Sequence, residues 1–270
     1  MDTENEQESG RALHAMNPVG RFSDRAEAYR QFRPSYPAEA LEAILDGLGD
    51  PTRLTAADVG AGTGISTNLL AERGLQVIAI EPNAAMRAAV AVHPRVRVVD
   101  GTAERTGLPS HHVDLALAAQ SFHWFEPEEA LKELHRVLRP NGRLAVLWNE
   151  RDLTDPVTAM YADALVRASN RAPEERWHLR PEELYASRLF SAAWERTFRN
   201  AQELDAEGLI GRAMSASYIP SEGTAHQELI RSLRELASRF ARRDGKITLV
   251  YRTVLSMSES VAPMRACGEP

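Results

Sequence analysis

The stretch from residue 54 to Glu81 constrains the fold of this chain more than any other part of it. Two apolar runs flank a glycine-rich turn at 60–64 and a helical pattern over 65–73. This order predicts a strand, a turn, a helix and a second strand, which together form a βαβ unit. Glu81 follows the second strand, where a carboxylate can accept hydrogen bonds from a ribose diol. The stretch therefore predicts a nucleoside-binding site.

Strand and helix patterns alternate through most of the chain. Alternation of this kind predicts a parallel sheet with helices on both of its faces. The predicted strands occupy 54–59, 75–80, 96–99, 113–119, 143–148, 194–200 and 246–257. The predicted helices occupy 38–48, 65–73, 83–92, 126–138, 155–170, 181–188, 206–213 and 222–243, and a turn is predicted at 140–142. The expected fold is α/β: a Rossmann-like, doubly wound, seven-stranded and mostly parallel sheet with a helical cap insertion.

The same patterns predict a core with added segments. The polar, acidic stretch 1–17 is expected to be a mobile tail, and 18–50 an N-terminal helical segment. The nucleoside-binding core is expected at 51–150. A substrate cap with interleaved core elements is expected at 151–245, and the final strand of the core sheet at 246–258.

Charge and cysteine content exclude several classes of protein and site. The 270 residues carry a formal net charge of -6 and no basic stripe, which argues against binding to a nucleic-acid backbone. The single cysteine, Cys267, excludes a disulfide within the chain and a cysteine-based zinc cluster. No apolar run reaches the ~20 residues that cross a bilayer, and the N-terminus lacks a signal-peptide pattern. We therefore expect a cytoplasmic protein that binds neither nucleic acid nor membrane. No metal site is expected, because His111 and His112 lack helical ligand spacing and a nearby set of carboxylates.

The spacing of the glycines narrows the class of nucleoside. A dinucleotide fingerprint that starts at Gly60 needs its third glycine at the position of Ile65. The third glycine instead comes one residue earlier, at Gly64, and Asp58 precedes the loop. The resulting pattern, D-x-G-x-G-x-G, resembles motif I of class I S-adenosylmethionine-dependent methyltransferases. A generic turn that binds NAD or FAD is the alternative at this point.

Three further segments resemble the same family and follow in the expected order. Residues 99–114 are similar to the adenine-binding segment, and 120–125 to the motif after the fourth strand. Residues 134–144 are similar to the helix, turn and strand that come next. Together with the glycine loop, they extend the resemblance over about residues 20–150.

A narrower resemblance involves the N-terminal segment. The pattern of Tyr29 followed by Arg33-Pro34-Ser35-Tyr36-Pro37, with His123-Trp124-Phe125, resembles the type-11 subgroup that includes trans-aconitate methyltransferase. This resemblance implies that the segment folds over the cofactor. It also implies that Tyr29 and Arg33 hold the methionine end, for which a guanidinium fork is chemically suited. The alternative for Arg33 is that it only solvates the loop.

The family resemblance implies roles for the residues around the cofactor. The loop packs against the methionine part, and Glu81 accepts hydrogen bonds from the ribose. Asp58 orients the loop or meets the ammonium group through water, with a purely structural cap as the alternative. Met86 covers a face of the adenine or packs in the core, and a backbone N–H near Glu104 meets the adenine edge. The implied cofactor-binding residues are Tyr29, Arg33, Asp58, Gly60, Ala61, Gly62, Thr63, Gly64, Glu81, Pro82, Met86, Thr102, Ala103, Glu104, Gln120 and Ser121.

His123 is the candidate catalytic residue. It is the only titratable side chain in 120–125, and an ordinary histidine pKa suits proton transfer at neutral pH. The alternative is that it packs over the cofactor or bonds to a backbone carbonyl. Methyl transfer needs alignment and a dry pocket, so a dedicated base is optional. Arg151 is a candidate partner for an acidic substrate. The candidate substrate-pocket residues are His123, Trp124, Trp148, Arg151, Tyr161, Trp177 and Tyr218.

The expected function is that of an S-adenosyl-L-methionine-dependent methyltransferase acting on a small organic molecule. Oxygen is the acceptor atom that the subgroup resemblance implies, and the expected state is a monomer or homodimer. The alternatives are an N- or C-methyltransferase of a natural-product pathway, a cofactor-binding protein without catalysis, and an NAD-dependent oxidoreductase. An RNA or protein methyltransferase is disfavoured, because the chain is acidic and carries no appended basic module.

Overall fold

The computed structural model describes residues 30–169, 182–216 and 218–261, and its central feature is a seven-stranded sheet. The strands are β1 (Thr55–Val59), β2 (Gln76–Ile80), β3 (Val96–Val99), β4 (Val113–Ala119), β5 (Leu138–Arg151), β6 (Trp194–Leu204) and β7 (Ile247–Glu259). The α-helices are α1 (Ala38–Leu45), α2 (Ile65–Glu72), α3 (Ala84–Ala89), α4 (Pro127–Val137), α5 (Pro156–Ser169), α6 (Glu182–Ala186), α7 (Ala206–Met214) and α8 (Thr224–Phe240). Short 3-10 turns lie at Pro51–Arg53 and Phe122–Trp124.

The strand order is β3-β2-β1-β4-β5-β7-β6. Neighbouring strands from β3 to β5 are parallel, and β7 pairs antiparallel with both β5 and β6. The order reverses between β1 and β4, so the carboxyl ends of these strands flank a crevice where α/β sheets bind ligands. The α/β, mostly parallel fold class predicted from the sequence is confirmed.

Side chains from the sheet feed apolar cores on its two faces. Along β1, Ala57 and Val59 join the core that contains α4, while Ala56 joins the core that contains α1 and α2. This period-two alternation with both faces covered explains why the strand reads as continuously apolar. Helices therefore cover both faces, as the alternating pattern predicts.

A third apolar cluster lies beyond β5, where α5, α7 and α8 pack with β7. Leu209, Leu233 and Tyr251 are among its fully buried members. The apolar stripe of α8 that includes Leu229 and Leu236 faces this cluster, because residues three or four apart share one side of a helix. Helices α5, α7 and α8 lie within the segment 151–245 that the sequence analysis assigns to a cap, whereas β7 is the predicted final strand of the core sheet.

Several element boundaries differ from those predicted. Helix α1 ends at Leu45 rather than residue 48, and Gly47 follows with a φ of 78°. Strand β5 begins at Leu138, and its pairing with β4 shifts register to accommodate the predicted turn, where Asn141 has a φ of 63°. Strand β6 continues to Leu204 because every residue along it pairs with β7. The ends of β5 and β6 depend on the strands with which they pair, and a local sequence pattern does not reveal those strands.

Some predictions fall outside the described residues. They concern the tail at 1–17, the part of the N-terminal segment that precedes residue 30, Tyr29 and Trp177. Across the residues that the structure describes, none of the helices has both the length and the apolar character needed to cross a membrane.

Candidate functional site

The glycine loop between β1 and α2 depends on left-handed backbone geometry. Gly60, Gly62 and Gly64 have φ values of 67°, 57° and 85°. A Cβ added at Gly60 would lie 2.6 Å from the Cβ of Ser121, and one at Gly64 would lie 2.9 Å from Val90 Cγ1. The loop therefore requires glycine both for its conformation and for its close approach to neighbouring segments.

Glu81, at the end of β2, is held by backbone N–H groups from two directions. The N–H of Gly62 donates to Oε2 at 2.9 Å, and the N–H of Asn83 donates to Oε1 at 2.9 Å. Burial raises the pKa of this carboxyl, against the opposing effect of the two backbone donors. Each carboxylate oxygen keeps a further lone pair, so the group can still accept hydrogen bonds from a ligand.

Asp58 lies beneath the loop and does not line the cavity described below. Its Oδ2 accepts hydrogen bonds from Ser66 Oγ at 2.8 Å and from Thr67 Oγ1 at 2.5 Å, both in the first turn of α2. Its Oδ1 has no hydrogen-bond partner among the described residues. Burial raises the pKa of Asp58 to about 6. This geometry supports an orienting role that ties β1 to α2.

An open cavity of about 960 Å³, its mouth included, lies at the carboxyl ends of β1, β2 and β4. Most of the residues predicted to contact a cofactor line it. These are Gly60, Ala61, Gly62, Thr63, Glu81, Pro82, Met86, Thr102, Ala103, Glu104, Gln120 and Ser121. Trp124, predicted for the substrate pocket, lines it too. Arg33, Asp58 and Gly64 do not line it, and the binding role of every residue stays a prediction.

The cavity wall also includes residues that sequence reasoning did not select. They are Tyr36, Ile65, Ser66, Ala119 and Phe125. Tyr36 and Phe125 belong to the two segments that carry the narrower family resemblance. That resemblance was the feature of the sequence from which they could have been predicted as cavity residues. Ile65 and Ala119 read as ordinary apolar residues of a helix and a strand, so no local signal marked them.

The segment after β4 enters the cavity through a strained residue. Gln120 has a φ of 58°, an unfavourable conformation for a residue with a side chain. Its N–H donates to Leu147 O at 2.8 Å, and its side-chain amide donates to Asn149 O at 3.3 Å. Ser121 Oγ then donates to Val59 O at 2.7 Å, which joins the ends of β4 and β1. The hydrogen bonds to Leu147 and Asn149 thus hold Gln120 in this unfavourable conformation. A strained residue persists only where the surrounding structure fixes it in this way.

The loop after β3 contributes Thr102, Ala103 and Glu104 to the cavity wall. Glu104 Oε1 accepts a hydrogen bond of 2.8 Å from the N–H of Glu126, at the start of α4. Its side chain is thereby directed towards α4, and Ala103 and Met86 contribute buried apolar surface. The Glu104 carboxylate is thus already engaged by Glu126, and the expectation that a backbone N–H near Glu104 meets a ligand stays a prediction.

The N-terminal segment is fastened to the sheet next to this cavity. Ser35 O accepts hydrogen bonds from Asn149 Nδ2 at 3.1 Å and from Asn200 Nδ2 at 2.7 Å. Phe32 O accepts one from Gln202 Nε2 at 2.9 Å. These amides place Tyr36 on the cavity wall, so this part of the chain adjoins the loop despite its distance in sequence.

His123 lies in an aromatic environment beside the cavity rather than on its wall. Its ring is 4.6 Å from that of Trp124 and 4.7 Å from that of Trp148, measured between centroids. Burial lowers its pKa to about 3, and the positive charge of Arg33 acts in the same direction. The imidazole is therefore neutral at pH 7 and a weak base, which weighs against the predicted general-base role.

Arg151, Tyr161, Arg212 and Tyr218 form a second polar group, here named the basic cluster. Arg151 Nη2 donates to Tyr218 Oη at 3.2 Å, and its guanidinium carbon lies 5.6 Å from the centre of the Tyr161 ring. Burial raises the pKa of Tyr161, and the charges of Arg212 and Arg151 oppose that effect. Three of the predicted substrate-pocket residues thus come together away from the cavity wall. Arg212 was not predicted, because an arginine on an amphipathic helix reads as solvent-exposed.

Metal binding has no support from the described part of the chain. Within it, no three histidine, cysteine, aspartate or glutamate side chains are grouped so that they could hold an ion.

Comparisons with known proteins agree on one family. A methyltransferase domain model matches residues 57–146. An uncharacterized methyltransferase from Mycobacterium tuberculosis is 43% identical over 135 residues, which cover 48% of this chain and 53% of that protein. An uncharacterized methyltransferase-like protein from Schizosaccharomyces pombe is 33% identical over 247 residues, covering 88% of this chain and 94% of that protein.

Solved structures give the same result. A candidate type II methyltransferase from Anaeromyxobacter dehalogenans aligns with a TM-score of 0.64 and 26% identity, covering 86% of this chain and all of that one. The chain spans about half the length of the mycobacterial relative and nearly all of the S. pombe relative. The narrower resemblance to trans-aconitate methyltransferase stays a prediction.

Proposed function

This chain belongs to the class I S-adenosylmethionine-dependent methyltransferase family, and we propose that it binds S-adenosylmethionine beside the glycine loop and methylates a small organic molecule. Oxygen is the proposed acceptor atom. The observation that carries the proposal is the buried carboxylate of Glu81, which Gly62 and Asn83 orient at the cavity wall. A cytoplasmic location and a monomeric or homodimeric state belong to the same proposal and rest on composition and resemblance.

The described residues fit this cofactor. Glu81 retains lone pairs that can accept from ribose hydroxyls. Gly60 leaves no room for a Cβ beside Ser121, so the loop packs closely against the segment after β4, and both line the cavity. Met86, Ala103 and Phe125 supply the apolar wall that a base requires. These features support a nucleoside with a ribose diol.

The chain contributes binding, alignment and exclusion of water. When bound, S-adenosylmethionine would supply its methyl group to an acceptor oxygen, which would attack the methyl carbon in line with the C–S bond as the sulfur leaves as the neutral thioether of S-adenosylhomocysteine. Glu81 and the glycine loop hold the methyl donor in place. Trp124 on the cavity wall contacts the ring of His123, which in turn contacts Trp148. A neutral His123 can orient an acceptor through a hydrogen bond but is a poor proton acceptor at pH 7. The site therefore suits an acceptor that reacts as an anion, or one that loses its proton to solvent.

Calorimetric titration with S-adenosylhomocysteine, with NAD in parallel, tests the cofactor. We expect micromolar binding of the former and no binding of NAD. Binding of NAD alone would contradict the proposal and favour hydride transfer. Transfer of a labelled methyl group to a panel of small acids, phenols and amines then tests catalysis, with tRNA and a protein mixture as controls. Cofactor binding without any transfer would favour the non-catalytic alternative.

A further inference from the structure

Arg87, in helix α3, joins the segments that follow β2 and β3. Its Nη1 donates to Glu81 O at 2.8 Å and to Pro82 O at 2.7 Å. Its Nη2 donates to Asp100 Oδ2 at 3.2 Å. Glu81 and Pro82 line the cavity, whereas Arg87 does not. Arg87 therefore contacts the backbone on which the Glu81 carboxylate is mounted without being part of the cavity wall.

This backbone leaves the sheet directly after β2. The N–H of Glu81 still donates to Val99 O at 3.2 Å, but Pro82 has no N–H with which the pairing to β3 could continue. The carbonyl groups of Glu81 and Pro82 are held by the one guanidinium. A guanidinium suits this task because its N–H donors lie in a rigid plane. The position of the Glu81 carboxylate thus depends on Arg87.

The ion pair with Asp100 does not by itself account for the placement of Arg87. The Asp100 side chain is 71% exposed, and ion pairs with exposed partners contribute little to stability. The Arg87 side chain is only 22% exposed, and its shorter hydrogen bonds go to the two carbonyl groups. The guanidinium is therefore directed at the Glu81 segment, and Asp100 holds its other nitrogen.

The charges of Arg87 and Asp100 act on Glu81 in opposite directions. Burial raises the pKa of the Glu81 carboxyl, the positive charge of Arg87 lowers it, and the negative charge of Asp100 raises it. An ionised carboxylate accepts hydrogen bonds on both oxygens, whereas a protonated one must donate from one of them. The charge of Arg87 thus favours the form of Glu81 that accepts from a ribose diol.

Two further carboxyls belong to elements around Glu81 in the described part of the chain. Asp58, on β1, interacts electrostatically with Glu81. Glu104, on the cavity wall, accepts the N–H of Glu126. The first turn of α2 adds the uncharged side chains of Ser66 and Thr67. Arg87 therefore brings a positive charge to a site rich in carboxyls.

We propose that Arg87 is a positioning residue for methyl-donor binding, which fixes the backbone of Glu81 and Pro82 and keeps the Glu81 carboxylate ionised. This inference rests on the proposed function and adds to it the residue that controls the donor-binding carboxylate. Loss of Arg87 then weakens donor binding in two ways, through the placement of the carboxylate and through its charge. Only the second effect depends on pH.

Calorimetric titration with S-adenosylhomocysteine at pH 8 and pH 5 tests the proposal with two variants that break the same ion pair. Arg87→Gln removes a positive charge, so Glu81 should take up a proton more readily, whereas Asp100→Asn removes a negative charge and should have the opposite effect. The ratio of the affinity at pH 8 to that at pH 5 should therefore be larger than in wild type for Arg87→Gln and smaller for Asp100→Asn. We expect the two variants to differ in this ratio by at least about threefold.

Two further variants separate position from charge. Arg87→Lys keeps the charge but loses the planar fork, so it should bind about three- to tenfold more weakly at pH 8 and keep the wild-type ratio. Arg139→Gln is the matched control, because it breaks another arginine–aspartate pair, with Asp114 at 2.6 Å, away from the cavity wall. It should match wild type in both affinity and ratio. If Arg87→Gln does not fold, the comparison of Asp100→Asn with wild type decides, and a ratio that is not smaller overturns the proposal.

The outcomes distinguish this inference from the function on which it rests. If wild-type protein binds S-adenosylhomocysteine at neither pH, the proposed function fails and the inference fails with it. If the ligand binds but Arg87→Gln and Asp100→Asn show the same ratio, the inference alone is overturned, because the ion pair is then only structural. Wild-type affinity in Arg87→Gln at both pH values would overturn it as well.

Discussion

The backbone N–H of Gly62 donates a hydrogen bond of 2.9 Å to the carboxylate of Glu81, so the glycine loop and the end of β2 form one unit. The two residues are 19 positions apart, and the parallel pairing of β1 with β2 brings them together. The same carboxylate accepts from Asn83 and faces the cavity. A change at Glu81 should therefore alter both ligand binding and the order of the loop.

Replacement of Glu81 by glutamine should weaken binding of S-adenosylhomocysteine about ten- to a hundredfold. The amide lacks the negative charge and offers one acceptor oxygen where the carboxylate offers two, and charge-assisted hydrogen bonds contribute about 1.5–3 kcal/mol. Calorimetric titration measures the effect, and Glu72→Gln on the exposed end of α2 is the control. Unchanged affinity in Glu81→Gln would contradict the ribose assignment.

Gly60→Ala should destabilise the protein more than an alanine at another left-handed glycine. Both Gly60 and Gly245 have positive φ values, 67° and 78°, so each substitution carries the left-handed cost of about 1–2 kcal/mol. Only at Gly60 does the new Cβ meet an obstacle, Ser121, while Gly245 has nothing within 4 Å. Urea denaturation should show the larger loss for Gly60→Ala, and titration should show weaker binding of S-adenosylhomocysteine for that variant alone. Equal losses would show that the contact with Ser121 does not constrain the loop.

Gly211→Ala should destabilise the protein, although the same change in an ordinary helix stabilises. Gly211 lies within α7, where alanine is normally favoured over glycine by about 1 kcal/mol. Here a Cβ would overlap the ring of Phe32, whose carbonyl bonds to Gln202 and holds the N-terminal segment. Thermal unfolding and titration with S-adenosylhomocysteine should both show a loss. The double variant with Phe32→Ala should lose no further stability relative to Phe32→Ala alone, and a separate, additive loss would refute the collision.

Asp58 should make stability fall as the pH rises through about 6. Burial raises its pKa to about 6 from an ordinary value of 3.8, so the folded protein binds the proton more tightly than the unfolded chain. The resulting stability is fully present below about pH 4 and is lost as the pH rises, by about 1 kcal/mol between pH 5 and pH 7. Asp58→Asn should lack this part of the pH dependence. Urea denaturation at the two pH values measures the difference, and identical pH dependence would contradict the assignment.

Patterns within the chain located much of the cavity. Gly60 and Glu81 were predicted from residue type and spacing alone, since a strand, a glycine turn and a second strand place both at the same sheet edge. The helix and strand types were predicted for the same reason, because periodicity reflects which face is buried. Their ends were less accurate, as with α1, which stops before Gly47.

The roles of single side chains depended on contacts that no local pattern contains. The sequence shows only that Asp58 precedes the glycine loop. The structure adds that its Oδ2 accepts hydrogen bonds from Ser66 and Thr67, beneath that loop. His123 was a candidate base because of the usual pKa of histidine, and burial in the fold, together with the charge of Arg33, lowers that pKa. Both cases turn on burial, which is a property of the assembled fold.

The sequence by itself determined the α/β order and the glycine loop with its acidic partner, because these follow from local spacing and from the polarity of short segments. Only the tertiary structure decided that Tyr36 lines the cavity and that Arg212 joins Arg151 and Tyr161. These residues come from separate elements, and only sheet pairing and helix packing bring them together. A periodic pattern shows which side of an element is buried, whereas the partner it meets there is set by the packing of the whole chain.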